Sequence, residues 1–366
     1  MLKDPVPLAE ISRALVIKLR HHGDVLLAAP VLRALKTHAP NAEIDALVYE
    51  DTAEMLAGHP ALARLHAVGR GWRNEDYLAR LVLEKELFDA LRARRYGLIV
   101  HLSEQPRGAW LARALAPRYS VAPATPGRGA FWRKSFTHLY ALARNGHRHK
   151  VEENLDALRR IGLQPAPEER RVEFVPGAAA EARVASLLAG EGVREREFIH
   201  LHPASRWSFK CWPAEKNAEL IDRLSAKFRV VLTAAPEQGE KAFVEEIISK
   251  TKNKPLSLAG QLSIKELGAL TGRARVFVGV DSMPMHLAAA MGTPTVALFG
   301  PSGEDEWGPW GVAHRVVAMN AFTCRPCGND GCGGGKISEC LTTLPVAQVE
   351  AAVNDLLAIN TQVPCA

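Results

Sequence analysis

Residues 275–302 read RVFVGVDSMPMHLAAAMGTPTVALFGPS. Arg275–Val280 is a short apolar, β-branched run, Ser282–Met291 has a helical pattern, and Pro294–Phe299 is a second apolar run. Strand, helix and strand in that order are the repeating unit of a parallel sheet covered by helices. The same alternation extends outward. Phe198–His202 and Arg229–Ala234 read as strands around a helix at Pro213–Lys227. In the first half, Arg13–Leu19 reads as a strand, a helix starts near Asp24, and Ile44–Tyr49 and Leu98–Leu102 read as further strands. Between the halves, Leu163–Pro176 carries Pro165, Pro167 and Pro176 among charged residues and reads as a linker. The expectation is therefore α/β, with two domains at 1–175 and 176–366 facing across a cleft. The last helix, about 346–358, is expected to pack back on the first domain. In open α/β sheets, ligands sit beyond the carboxyl ends of the strands, so those ends are where chemistry is sought.

The 366 residues are 47% hydrophobic and 23% charged, a soluble globular composition that excludes disordered, collagen-like and coiled-coil chains. No stretch approaches the roughly 18 apolar residues of a membrane-spanning helix. The N-terminus, MLKDPVPLAEISRALVIKLR, interrupts its apolar character with Asp4, Glu10 and Arg13 and does not read as a signal peptide. A cytoplasmic protein is expected, with contact to the inner face of a membrane left open. The net charge of +6 suits anionic partners without choosing among phosphates, acidic sugars, lipid headgroups and nucleic acid.

Three strand ends stand out. Lys18-Leu19-Arg20-His21-His22-Gly23-Asp24 crowds four basic side chains around one carboxylate. Asp24 is either the N-cap of the following helix or a general base kept ionised by those cations, which would also hold an anionic substrate. His202-Pro203-Ala204-Ser205-Arg206 ends a second strand, and Lys210 precedes the next helix. These residues are either solvated loop charges or a phosphate cradle, although the spacing is not that of a P-loop. In the opening stretch, Asp281, Ser282 and His286 converge on one strand end. Asp281 as N-cap with His286 as a packed core residue is the alternative to a binding role there.

Together these residues bring a family into view. From IKLRHHGDVLLAAPVLRALK through HPASRWSFKCWP to GVDSMPMHLAAAMGTPTVALFGPSG, the chain resembles the ADP-heptose:lipopolysaccharide heptosyltransferases, glycosyltransferase family 9. The double His of KLRHHGD and the SRWSFKCW run fit the branch that adds the third heptose of the core. The resemblance implies a GT-B fold of two Rossmann-like domains, an N-terminal one for the acceptor and a C-terminal one for the donor. It implies inverting transfer of L-glycero-D-manno-heptose from ADP-heptose to an inner-core heptose of lipopolysaccharide, at the inner face of the inner membrane. By motif, Asp24 matches the family's base and Lys210 the lysine that stabilises the departing pyrophosphate. Ser205, Arg206, Asp281, Ser282, Met283 and His286 match its donor site. Glu237 matches the acid on the ribose, and Leu262 a backbone contact to adenine. No metal or other cofactor is then required, and no nucleic-acid partner. Ser282-Met283 departs from the usual Thr-Gly, and the Ser205–Lys210 spacing is one residue longer than in the first-heptose enzymes. The rivals are a first- or second-heptose step, a GT-B transferase using another nucleotide sugar, and a binding protein for acidic glycans or nucleic acid.

On the acceptor side, Lys18, Arg20, His21 and His22 are expected to contact substrate. Residues 127–150 (GRGAFWRKSFTHLYALARNGHRHK) hold six Lys/Arg, three His and no acid, from which Arg128, Arg133 and Lys134 are taken as acceptor contacts. A merely solvated basic face is the alternative. Finally, Cys324, Cys327, Cys332 and Cys340 fall in one Gly-rich stretch. They either hold a structural zinc ion or disulfide, or remain reduced thiols in a loop.

Overall fold

The computed structural model describes residues 4–143 and 147–360, without the side chains of Arg73 and Asn360. Residues 144–146 of the basic stretch at 127–150 lie outside them. The chain divides into two compact units, Met1–Val175 and Pro176–Ala366, each built on its own six-stranded parallel sheet.

In the first unit the strands are β1 (Arg13–Ile17), β2 (Glu43–Tyr49), β3 (Arg64–Val68), β4 (Leu98–His101), β5 (Tyr119–Pro123) and β6 (His138–Tyr140). They lie in the order β3-β2-β1-β4-β5-β6, all parallel. In the second they are β7 (Phe198–His202), β8 (Arg229–Leu232), β9 (Leu256–Ser257), β10 (Val276–Val280), β11 (Thr295–Phe299) and β12 (His314–Ala318). Their order, β12-β11-β10-β7-β8-β9, is the same pattern. Both sheets are therefore doubly wound, and the strand order reverses between β1 and β4 and between β7 and β10. That reversal opens a crevice beyond the strand ends, where such sheets bind ligands.

Every residue of β7, β10 and β11 is buried, as expected of strands covered on both faces, which is why they read as unbroken apolar runs. One face of the second sheet (Ile199, Leu201, Val230, Val278) packs under the helices Ala214–Leu224, Gln238–Lys250 and Val346–Asn360. The other face is covered through Phe198, Val231, Phe277 and Phe299. The last helix, expected to return to the first domain, puts Val349, Val353 and Leu356 into this second core. Each such side chain contributes roughly 1.5–3 kcal/mol by leaving water. The linker stretch is more ordered than its prolines suggest. It turns at Pro167–Arg170 and buries Glu169, which accepts from the Ala166 backbone N–H at 2.6 Å and lies 3.3 Å from His38.

Candidate active site

In the first unit, the crevice between β1 and β4 begins with Lys18. Its side chain turns inward, where Nζ donates to the Leu102 carbonyl and to Asn154 Oδ1, both at 2.9 Å. Asn154 in turn donates to the Leu27 carbonyl at 3.0 Å. Burial pushes the Lys18 ammonium down to about 8, while the nearby Asp24 carboxylate pulls it back up. A cation in that position needs every partner it has, so Lys18 braces β1, β4 and two helices and does not reach out to an acceptor, contrary to the expectation.

The next helix spans His22–Leu26, with His21 at its N-cap, so Asp24 is not the cap but the third residue of the helix. The Asp24 side chain is 11% exposed, and Arg20 Nε stands 3.6 Å from its Oδ1. That gap is too long for a hydrogen bond. His21 is exposed and His22 half-buried on the same turn. The Arg20 carbonyl accepts from Arg70 Nη2 at 2.7 Å, a brace that the sequence reading missed.

Arg70 also forms the wall of a cavity of about 830 Å³ within this unit, with Tyr49, Trp72, Arg80, Arg107 and Trp110. Its guanidinium carbon lies 3.8 Å from the centre of the Tyr49 ring. The alternation of Arg, Trp and Tyr in GRGWRNEDY (69–77) is the signal that would have pointed there. Among the residues chosen from 127–150, Arg128 is half-buried, donating to the Glu104 carbonyl at 2.6 Å beyond β4, and it lies 5.4 Å from the Trp132 ring centre. Arg133 and Lys134 are exposed.

In the second unit, Lys210 closes a short turn, Ser208–Lys210, beyond β7, and Asp281 follows β10 across the strand reversal. Lys210 Nζ meets Asp281 Oδ2 at 2.5 Å. Asp281 is buried and is not the N-cap of the helix Met283–Ala290; Ser282 takes that position, without a side-chain cap bond. His286 is buried on that helix, 6.3 Å from the Trp307 ring, and Met283 is half-buried in its first turn. Ser205 Oγ accepts from the Trp207 N–H at 3.3 Å, and Arg206 lies over the Trp207 ring at 4.8 Å.

Ser205, Arg206 and the exposed Glu237 line one cavity of about 590 Å³, together with Glu240, Phe243 and Ile337. Lys210, Asp281, Ser282, Met283 and His286 are not among the residues around that cavity. The expected donor residues thus fall into two groups, joined by the chain segment 206–210. Leu262 belongs to neither and packs against the sheet face of Phe198 and Val231.

Behind β7, Thr233 Oγ1 bridges His200 Nε2 at 2.7 Å and His202 Nδ1 at 2.8 Å. Burial pushes the imidazole of His202 down to about 4 and that of His200 well below its usual value. The described thiols of the cysteine-rich stretch are free, and no group of three or more His, Cys, Asp or Glu among the described residues is arranged to hold a metal ion.

Two doubly wound parallel sheets, one in each unit, are the architecture of the GT-B fold. Residues 85–337 match the model of glycosyltransferase family 9 (heptosyltransferase), and the chain belongs to that family. It is 35% identical over 349 residues to lipopolysaccharide heptosyltransferase 3 of Escherichia coli, covering 94% of this chain and 98% of that protein. Its fold is that of a family 9 glycosyl transferase from Veillonella parvula, with a TM-score of 0.81 at 21% identity over 95% of this chain and 97% of that one. An E. coli heptosyltransferase solved with ADP superimposes with a TM-score of 0.71 at 20% identity, over 94% and 99% of the two chains.

Proposed function

We propose that this enzyme moves L-glycero-D-manno-heptose from ADP-heptose to an inner-core heptose of lipopolysaccharide, as the third heptose of the core. The near full-length likeness to heptosyltransferase 3 supports the choice of step. The observation that carries the mechanism is the pair of strand reversals, with the part-exposed carboxylate of Asp24 beyond β1 and the ammonium of Lys210 beyond β7.

Asp24 takes the proton of the acceptor hydroxyl as its oxygen attacks the anomeric carbon, and the bond from that carbon to the ADP oxygen breaks on the opposite face. The departing pyrophosphate gathers negative charge, which Lys210 meets by exchanging its Asp281 partner for phosphate oxygens. Ser205, Arg206, Ser282, Met283 and His286 complete the donor site, with Glu237 on the ribose and the backbone of Leu262 on the adenine. Side chains then supply the positive charge, and no metal or cofactor is needed.

Arg20, His21, His22, Arg128, Arg133 and Lys134 face the acceptor, and the cavity of Arg70, Arg80 and Arg107 takes its neighbouring acidic sugars. Because that acceptor is lipid-borne, the enzyme works in the cytoplasm against the inner membrane. Among the described residues no helix is long and apolar enough to cross a membrane.

The test is transfer from ADP-heptose onto lipopolysaccharide whose core stops after two heptoses, read by mass. A gain of one heptose is expected. Transfer only onto cores bearing one heptose or none would reassign the step, and transfer onto none of the three would remove the donor assignment.

A further inference from the structure

The cysteine-rich stretch lends Lys336, Ile337 and Ser338 to the wall of the cavity of Ser205, Arg206 and Glu237, and it is tied to the turn that carries Lys210. Ser338 is buried, and its Oγ donates to the Phe209 carbonyl at 2.6 Å. Phe209 is the residue before Lys210. Ser338 occupies the N-cap of the short helix Glu339–Thr342, where a serine ordinarily turns its oxygen to the helix N–H groups; here it makes no side-chain cap bond. Its hydroxyl is spent on the Lys210 turn instead.

Further links lie on either side. Lys336 Nζ lies 5.7 Å from the Phe209 ring centre. Trp212 Nε1 and Lys216 Nζ both donate to the Leu344 carbonyl, at 3.1 and 2.8 Å. The loop is itself held to the end of β11. Arg325 Nε donates to the Gly300 carbonyl at 2.6 Å, and a Cβ on Gly300 would come within 2.5 Å of Leu341. It is compact as well, since the Cys332 N–H donates to the Ile337 carbonyl at 2.7 Å.

We propose that the cysteine-rich loop is a clamp that sets the position of Lys210, and that Ser338 is its contact point, a positioning residue for the departing pyrophosphate. A backbone carbonyl at 209 held from one side and an Asp281 carboxylate on the ammonium from the other define where Lys210 stands before the donor arrives. Removing the hydroxyl leaves the turn free to shift, and misplacing a charge that acts mainly on the transition state lowers turnover more than it weakens substrate binding.

The inference rests on the role given to Lys210, so the experiment compares Ser338→Ala, Ser338→Thr and Lys210→Ala in the full chain, with kcat, the ADP-heptose KM and Tm measured for each. Ser338→Ala is expected to lose about tenfold in kcat with KM changed less than about threefold, and Ser338→Thr to keep turnover within about twofold of the parent. Should Ser338→Ala fail to fold, Ser338→Cys, of similar shape with a weaker donor, is judged by the same limits. Turnover of the alanine variant within twofold of the parent, or a threonine variant as impaired as the alanine one, overturns the clamp. Full turnover in Lys210→Ala overturns the reading of Lys210 itself. Loss there with none in Ser338→Ala removes only the clamp.

Discussion

The two units share one strand order and treat charge at the reversal in opposite ways. Beyond β1, the cation nearest the strand end, Lys18, turns inward to the Leu102 carbonyl and Asn154, and the carboxylate of Asp24 lies near it with Arg20 at a longer 3.6 Å approach. Beyond β7 and β10, cation and carboxylate are already joined, Lys210 on Asp281. In the proposed mechanism the first arrangement leaves a base able to accept a proton. The second holds a cation that must change partners to meet a phosphate. On that proposal, one scaffold supports a proton acceptor and an anion receptor because the side chains at the strand ends differ while the sheet does not.

Four measurements break or sharpen this contrast. The largest effect is on stability and should be confined to the first unit. Arg94 donates to the buried Asp45 at 2.7 and 3.1 Å, and Tyr96 adds a third bond to that carboxylate at 2.7 Å. Arg94→Ala leaves the buried carboxylate to Tyr96 and His66 without its guanidinium partner and is expected to cost about 3 kcal/mol in denaturant unfolding, with the second unit's transition unmoved. A shift in both transitions would show that the units do not unfold separately.

Asp24→Asn should cut turnover at least about a hundredfold with Tm and ADP affinity unchanged. Retained turnover would erase the contrast by removing the base. Lys210→Ala comes next, with a loss of about fiftyfold expected in kcat and a smaller one, about fivefold, in ADP affinity, because its charge meets the pyrophosphate before bond breaking and more strongly during it. Unchanged ADP affinity by calorimetry would leave Lys210 as no more than Asp281's partner.

The smallest effect is in acid. His200 and His202 in the second unit, and His59 and His101 in the first, have their pKa values lowered by burial, to about 4 for His202 and about 3 for His101. An unfolded chain binds protons at these sites near pH 6.5, so stability is whole above that pH and declines as pH falls towards 4. The slope is about 1.4 kcal/mol per pH unit for each histidine. Two such groups in each unit predict an acid loss in both, read from urea unfolding at pH 6 and pH 5; a loss confined to one unit would go against it.

Seven of the twelve strands were legible because a parallel sheet buried on both faces demands unbroken apolar runs, and Phe198–His202 has the bounds its sequence suggests; β3, β5, β6, β9 and β12 were not read, and β3 and β12 at the sheet edges are only partly buried. The helix Tyr77–Ala93, whose Leu78 and Val82 stand exposed, gave no comparably clear pattern. Asp24, Lys210 and Asp281 were legible as strand-end residues. Which of the cations around Asp24 turns inward was not, because Lys18 is selected by the Leu102 carbonyl and by Asn154, 136 residues further on.

The sequence alone determined the alternation of strands and helices, the division into two halves, and the residues at the strand ends, since periodicity and turn chemistry are local properties. Tertiary structure decided the partners. Lys210 reaches Asp281 across 71 positions, and Ser338 reaches Phe209 across 129. Such contacts depend on strand order and on the competition among buried polar groups for a limited set of donors and acceptors, and that competition is resolved only when the chain is packed.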